Sequence, residues 1–123
     1  MINVIRKSEG TLHKIADNKV AINLITKEVT KDVSLAVIEA NNFNEEETTR
    51  YDRIYYVTEG ELILINEDKK YAMNVGDSCF IPKGTTYIMS GTFKLIVITL
   101  TIINYNNFLV NSCDQKIWPQ LFL

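Results

Sequence analysis

Histidine is almost missing from this chain of 123 residues: the one imidazole is His13. A metal centre built from several imidazoles is therefore excluded, and His13, with no partner at ligand spacing, reads as a surface or structural residue. Cysteine is scarce as well. Cys79 and Cys113 are the two present, too few for a disulfide framework, and Cys79 lies in the apolar run Cys79-Phe80-Ile81, where a buried thiol is expected; a reducing, cytoplasmic setting follows. Two prolines, Pro82 and Pro119, and five glycines leave no linker of the usual composition, so residues 1–123 are expected to form one domain. The longest apolar run, Leu95 to Ile103, is interrupted by Thr99 and Thr101 and is too short to cross a bilayer as a helix. Met1 to Gly10 carries Arg6, Lys7 and Glu9 and has no long apolar segment of the signal-peptide kind. Charge of one sign is lacking too: 13 Lys and Arg against 15 Asp and Glu give −2, a field too weak to hold nucleic acid by counterion release. Neither nucleic acid nor a membrane is an expected partner.

What is present is the composition of a globular protein, 46% apolar and 23% charged, long enough to bury about two thirds of its unfolded surface. Its main signal is a series of short β-rich runs: Lys19 to Val29, Val33 to Ala40, Arg50 to Val57, Glu61 to Asn66, Lys69 to Met73, Ser78 to Ile81, Thr86 to Met89 and Phe93 to Ile103. Between them stand turn formers, Glu59-Gly60, Glu67-Asp68, Gly76-Asp77, Pro82-Lys83-Gly84 and Ser90-Gly91, which predict strands joined by tight turns in an antiparallel sheet. Glu45-Glu46-Glu47 reads as a solvated loop. Residues 104–123 break the rhythm and end in Trp118-Pro119-Gln120-Leu121-Phe122-Leu123; this tail is expected to dock on the barrel or on a second subunit, so a homodimer is expected.

From Arg50 to Gly91 the spacing resembles the cupin superfamily. Tyr51-Asp52-Arg53-Ile54-Tyr55-Tyr56-Val57-Thr58-Glu59-Gly60 looks like the end of its first motif, placed at about residues 47–60. Gly76-Asp77-Ser78-Cys79-Phe80-Ile81-Pro82-Lys83-Gly84 looks like the second, at about 76–91. Within that superfamily, Tyr51-Asp52-Arg53, Tyr56-Val57-Thr58-Glu59-Gly60 and Phe80-Ile81-Pro82-Lys83-Gly84 are similar to the ethanolamine-utilisation protein Q type. The resemblance implies an all-β fold, a small antiparallel jelly-roll barrel with a short C-terminal extension, and a role in bacterial catabolism.

Carried over by spacing, the metal positions of the superfamily correspond to Glu47, Thr49, Arg53 and Tyr87, or to Glu46 and Thr48 in place of the first two if the motif slips by one residue. None is histidine, and the arginine adds repulsion without a lone pair, so no metal cofactor is expected. Strand alternation places Thr49, Tyr51, Arg53, Tyr55 and Val57 on one face and Tyr87 and Met89 on another. If both faces line the barrel mouth, Glu47, Thr49, Tyr51, Arg53, Tyr55, Tyr87 and Met89 form a site for a small anionic or hydroxylated ligand. Alternatively, Glu47 and Arg53 pair with each other in place of the metal. Three functions remain open: a non-metal binding or accessory protein, a metal-independent isomerase, epimerase or phosphoryl-transfer enzyme, and a structural dimerisation module. Phosphoryl transfer would lack a Gly-rich phosphate loop.

Overall fold

The computed structural model describes residues 1–102. Its strands are β1 (Thr11–Ala16), β2 (Lys19–Ile25), β3 (Val33–Thr48), β4 (Asp52–Asn66), β5 (Lys69–Met73), β6 (Ser78–Ile81) and β7 (Thr86–Leu100), preceded by a 3-10 turn at Lys7–Glu9. All pairings are antiparallel, in the order β1-β2-β3-β7-β4-β5, with β6 also on β4. The expected tail at residues 104–123, with Cys113, lies outside the described residues. Among the described residues no helix is long and apolar enough to cross a membrane.

Three strands run far longer than the sequence runs. The pairs read as separate strands on either side of Glu59-Gly60 and Ser90-Gly91 are single strands, β4 and β7, and β3 continues past Ala40 to Thr48. Those glycines make bends and not hairpins. The registers break at one level, between Ala40 and Phe43 in β3 and between Val57 and Glu59 in β4. There the backbone takes positive φ at Asn42, Gly60 and Gly91. A side chain at Gly60 would drive into the carbonyl oxygen of Thr92, and one at Gly91 would lie 2.5 Å from that of Glu61, so both positions need glycine to let neighbouring backbones approach across the bend. The run predicted from Lys19 ends at Ile25 and not Val29, and β1 carries no apolar alternation that would have announced it.

The bends fold the sheet onto itself. Tyr55 is paired opposite Val97, ten residues along β7 from Tyr87, which in a straight strand is roughly 34 Å. Yet the two tyrosine hydroxyls lie 2.7 Å apart. One half of the barrel is β1-β2-β3-β7-β4-β6, the other β3-β7-β4-β5, and the inward residues of both halves, including Tyr55, Val57, Leu62, Met89 and Leu95, form the core. This is an antiparallel jelly roll. Because each long strand is folded at its middle, both of its ends return to the same end of the barrel. The connections 26–32, 49–51, 67–68 and 82–85 therefore ring one mouth, and backbone hydrogen bonds tie two of them together, Thr49 N to Thr85 O and Gly84 N to Thr49 O.

Candidate functional site

The inward positions nearest that mouth are polar. Glu47 on β3 is paired opposite Tyr87 on β7, and the folded-over half brings Arg53 and Tyr55 of β4 against them. Glu47 Oε1 accepts from Tyr87 OH at 2.5 Å and from Tyr55 OH at 3.2 Å. Arg53 Nη1 lies 3.2 Å from each phenol oxygen and 3.4 Å from Glu47 Oε1. Two hydrogens on Nη1 thus face three oxygens, and this nitrogen is fully committed inside the protein. The opposite holds for Arg53 Nε, which is buried and has no hydrogen-bond partner.

A residue absent from the sequence-based site completes the cluster. Lys19, the first residue of β2, is buried, with its ammonium 3.9 Å from Glu47 Oε2, 3.3 Å from Met89 Sδ and 4.4 Å from the centre of the Phe43 ring. Alternation within its run places Lys19 on the same face as Ala21, but a lysine at a strand start reads as solvated until the register against β3 is known; that register pairs it with Ala40. Burial lowers its pKa, against the pull of Glu47 and with the help of Arg53. Burial likewise pushes the Tyr55 phenol up to about 12, although Arg53 pulls the other way. Tyr87 is raised further, by burial first and then by Tyr55 and Glu47. Both phenols are therefore neutral donors at neutral pH. Burial would lower the Arg53 pKa, but the surrounding phenols and Glu47 outweigh it and raise it, so the guanidinium stays charged. Two cations and one carboxylate leave one positive charge in excess.

Of the residues expected at the mouth, Glu47, Arg53, Tyr55 and Tyr87 come together and Met89 lies beneath them, fully buried against Lys19. Two do not join. β4 begins at Asp52, so the alternation does not extend back through the irregular 49–51 segment. Tyr51 turns outward, 41% exposed, and Thr49 is buried but spends its hydroxyl on the carbonyl of Tyr51. The acidic block belongs to β3 and not to a loop: Glu45 and Glu46 are exposed and Glu47 points inward. The one-residue slip fails as well, since Glu46 and Thr48 are exposed and Thr48 meets Thr86 on the surface. His13 is exposed on β1 and Cys79 is a half-buried free thiol with its pKa raised by burial.

Of two cavities, one meets the cluster at Tyr87 and the other holds none of its residues. One of about 500 Å³ lies between β5 and β6 and includes Tyr87, Ile81, Met73 and Leu64 in its wall. Another of about 530 Å³ lies beside the β2–β3 connection, with Tyr51, Lys27 and Lys31 in its wall. The side chains of Glu47 and Arg53 keep 32% and 24% of their exposure, so the cluster is reached from the mouth.

The metal of catalytic cupins does not fit here. Of Glu47, Thr49, Arg53 and Tyr87, one is a permanent cation without a lone pair, one is a hydroxyl engaged by backbone, and one is a phenol held protonated. Among the described residues no three His, Cys, Asp or Glu side chains converge on one point.

Solved structures share this architecture. An RmlC-like cupin from Shewanella frigidimarina superposes with a TM-score of 0.66 at 17% identity, covering 80% of this chain and 89% of that one. An ethanolamine utilization protein Q from Salmonella typhimurium LT2 does so with a TM-score of 0.64 at 24% identity, over 68% of this chain and 69% of that one. The EutQ protein of Clostridium difficile is 27% identical with a TM-score of 0.63, over 69% of this chain and 65% of that one. The match thus spans about two thirds of the length of both EutQ proteins. No curated protein matches by sequence. The family described as ethanolamine utilisation protein EutQ matches residues 4–103, the stretch that carries the folded sheet and every member of the polar cluster, and the chain therefore belongs to the EutQ family of the cupin superfamily.

Proposed function

We propose that this protein is a non-metal cupin that binds a small anionic or hydroxylated molecule at its barrel mouth, as a binding or accessory component of ethanolamine-related catabolism. The observation that carries the reading is the excess positive charge of a partly exposed cluster in which Lys19 and Arg53 share the single carboxylate of Glu47. A buried charge without a counter-charge is costly, and an anion entering from the mouth removes that cost. The rigid triangle of Glu47, Tyr55 and Tyr87 oxygens supplies the orientation. A second copy of the chain is the proposed partner. In its support, the outward face carries a cross-strand row, Leu12, Ile22, Val37, Ile96 and Tyr56, in which Leu12 and Tyr56 are exposed. Light scattering should then give about twice 14.1 kDa, and a monomer at micromolar concentration would refute it.

The test is a thermal-shift panel of carboxylates, phosphate and diols on the protein and on Arg53→Met. The expected result is a shift with the protein that Arg53→Met abolishes. The competing reading, in which Arg53 serves Glu47 alone, draws on their 3.4 Å contact. It requires that no ligand shifts the protein and that Arg53→Met costs about 3–5 kcal/mol of stability.

A further inference from the structure

Tyr51, which the polar cluster leaves out, stands instead in the wall of the cavity beside the β2–β3 connection. Alternation shows on which side of the sheet that cavity lies. Asn23 continues the inward series of Lys19 and Ala21 along β2, and Ser34 and Ala36 continue that of Ile38 and Ala40 along β3. All three line the cavity. It is therefore a hollow on the inner face of the sheet at the barrel mouth, bordered by the 26–32 connection and by Tyr51, and no residue of the polar cluster belongs to it.

The charged residues of its wall are Lys27 and Lys31. Both are exposed, and neither makes an ion pair among the described residues. The acids of the same connection, Glu28 and Asp32, are exposed and do not line the cavity. The backbone that carries the two lysines is tied down: Thr26 O accepts from the N–H groups of Val29 and Thr30, Thr101 N donates to Asp32 O, and the Thr101 hydroxyl donates to Lys31 O. A lysine carries its ammonium on a flexible four-carbon stem, so two of them on a fixed connection supply two positive charges to one hollow. The side chains of Asn23, Ser34 and Tyr51 make no hydrogen bond among the described residues and remain available to a ligand. Ile25, Val33, Leu35 and Ala36 make the rest of the wall largely apolar.

We infer that this cavity is a second binding site, for a small organic dianion with an apolar body. The two lysines favour a dianion over a monoanion because no acid in the wall offsets either charge, and about 530 Å³ of partly apolar space is of the size that takes up a small organic molecule. The site stands apart from the cluster at Arg53 and does not rest on the function proposed for it.

Phenyl phosphate and phthalate, aromatic dianions at pH 8 that differ in their head groups, are titrated calorimetrically into the full chain. Benzoate, inorganic phosphate and benzyl alcohol serve as a monoanion, a head without a body and a body without a charge. At least one aromatic dianion should bind, with benzoate about fivefold weaker and inorganic phosphate more than about tenfold weaker, since it buries no apolar surface. The stronger of the two identifies the head as a phosphate or as paired carboxylates. Lys27→Gln and Lys31→Gln, exposed substitutions that leave the fold intact, should each weaken the dianion about fivefold, and added salt should weaken it as well. Lys70→Gln, an exposed lysine of β5 outside the wall, should change nothing. In amide-correlation spectra the dianion should shift the signals of Asn23, Ser34 and Tyr51. Equal affinities for dianion, benzoate and inorganic phosphate would overturn the ligand class. Binding that both lysine variants leave intact and Arg53→Met abolishes would overturn this site and support the cluster as the place of binding. If no compound binds, or if the shifts avoid Asn23, Ser34 and Tyr51, the inference falls.

Discussion

Replacing Lys19 by methionine should stabilise the protein. The ammonium is buried, its hydrogen-bond partner is the thioether of Met89, and the nearest carboxylate oxygen is 3.9 Å away. At an effective dielectric of about 20, that carboxylate returns roughly 4 kcal/mol, and the ring of Phe43 returns up to about 2 kcal/mol more. Against this stand several kcal/mol of desolvation and the repulsion of Arg53. The lowered pKa says that the cost exceeds the return, since the charged form is disfavoured relative to water. Methionine fills much of the same space without a charge, and Glu47 keeps Arg53 and both phenols as partners. Lys19→Met is therefore expected to gain about 1–2 kcal/mol at pH 7, the lower part of the range for replacing a buried ion by an apolar residue. The gain has a pH signature. Lys19 has a folded-state pKa below its ordinary 10.5, so between those two values the unfolded chain holds more protons and the stability of the unaltered protein rises with pH. The advantage of Lys19→Met must shrink over that window. Urea denaturation followed by circular dichroism on both proteins from pH 7 to about 10.5, with the tyrosine titrations cancelling in the difference, measures both effects. A loss of more than about 1 kcal/mol at pH 7, or a difference that does not vary with pH, would refute the charge accounting.

Glu47→Gln removes the counter-charge of both cations and should cost about 2–3 kcal/mol in the same urea assay, less than a fully buried pair because Glu47 is one-third exposed. Gly60→Ala, whose new methyl meets the Thr92 carbonyl at a positive φ, should lower the urea midpoint by the equivalent of more than about 2 kcal/mol or prevent soluble expression. In an ultraviolet titration, Tyr55 and Tyr87 should remain protonated at about pH 11. Stability held by a phenol with a raised folded pKa is complete below its unfolded value near 10 and is lost as pH rises through about 12, so alkaline unfolding should fall in that window.

The sequence by itself determined the class of fold and part of the membership of the polar cluster. Alternation marked Tyr55, Val57, Tyr87 and Met89 as inward because a strand repeats every two residues whatever it is packed against. The glycines and Pro82 at their intervals marked the barrel, and the motif positions that usually carry imidazoles hold none here. Alternation fails where the chain leaves a regular strand, and so Tyr51 was placed inward across a segment that is not β structure, while Thr49, though buried, gives its hydroxyl to the backbone of that segment. The same local view took Gly60 and Gly91 for hairpin turns. Whether a glycine ends a strand or bends it depends on the partner backbone it must approach, Thr92 in one case and Glu61 in the other. Lys19 shows the limit most clearly. Alternation puts it on the face of Ala21 but does not show what covers that face; its place beside Glu47 and Met89 follows from the register of β2 on β3 and from the folding of one sheet half over the other. Such contacts join residues 28 and 70 positions apart, and their energies exist only once tertiary packing has removed the water between them.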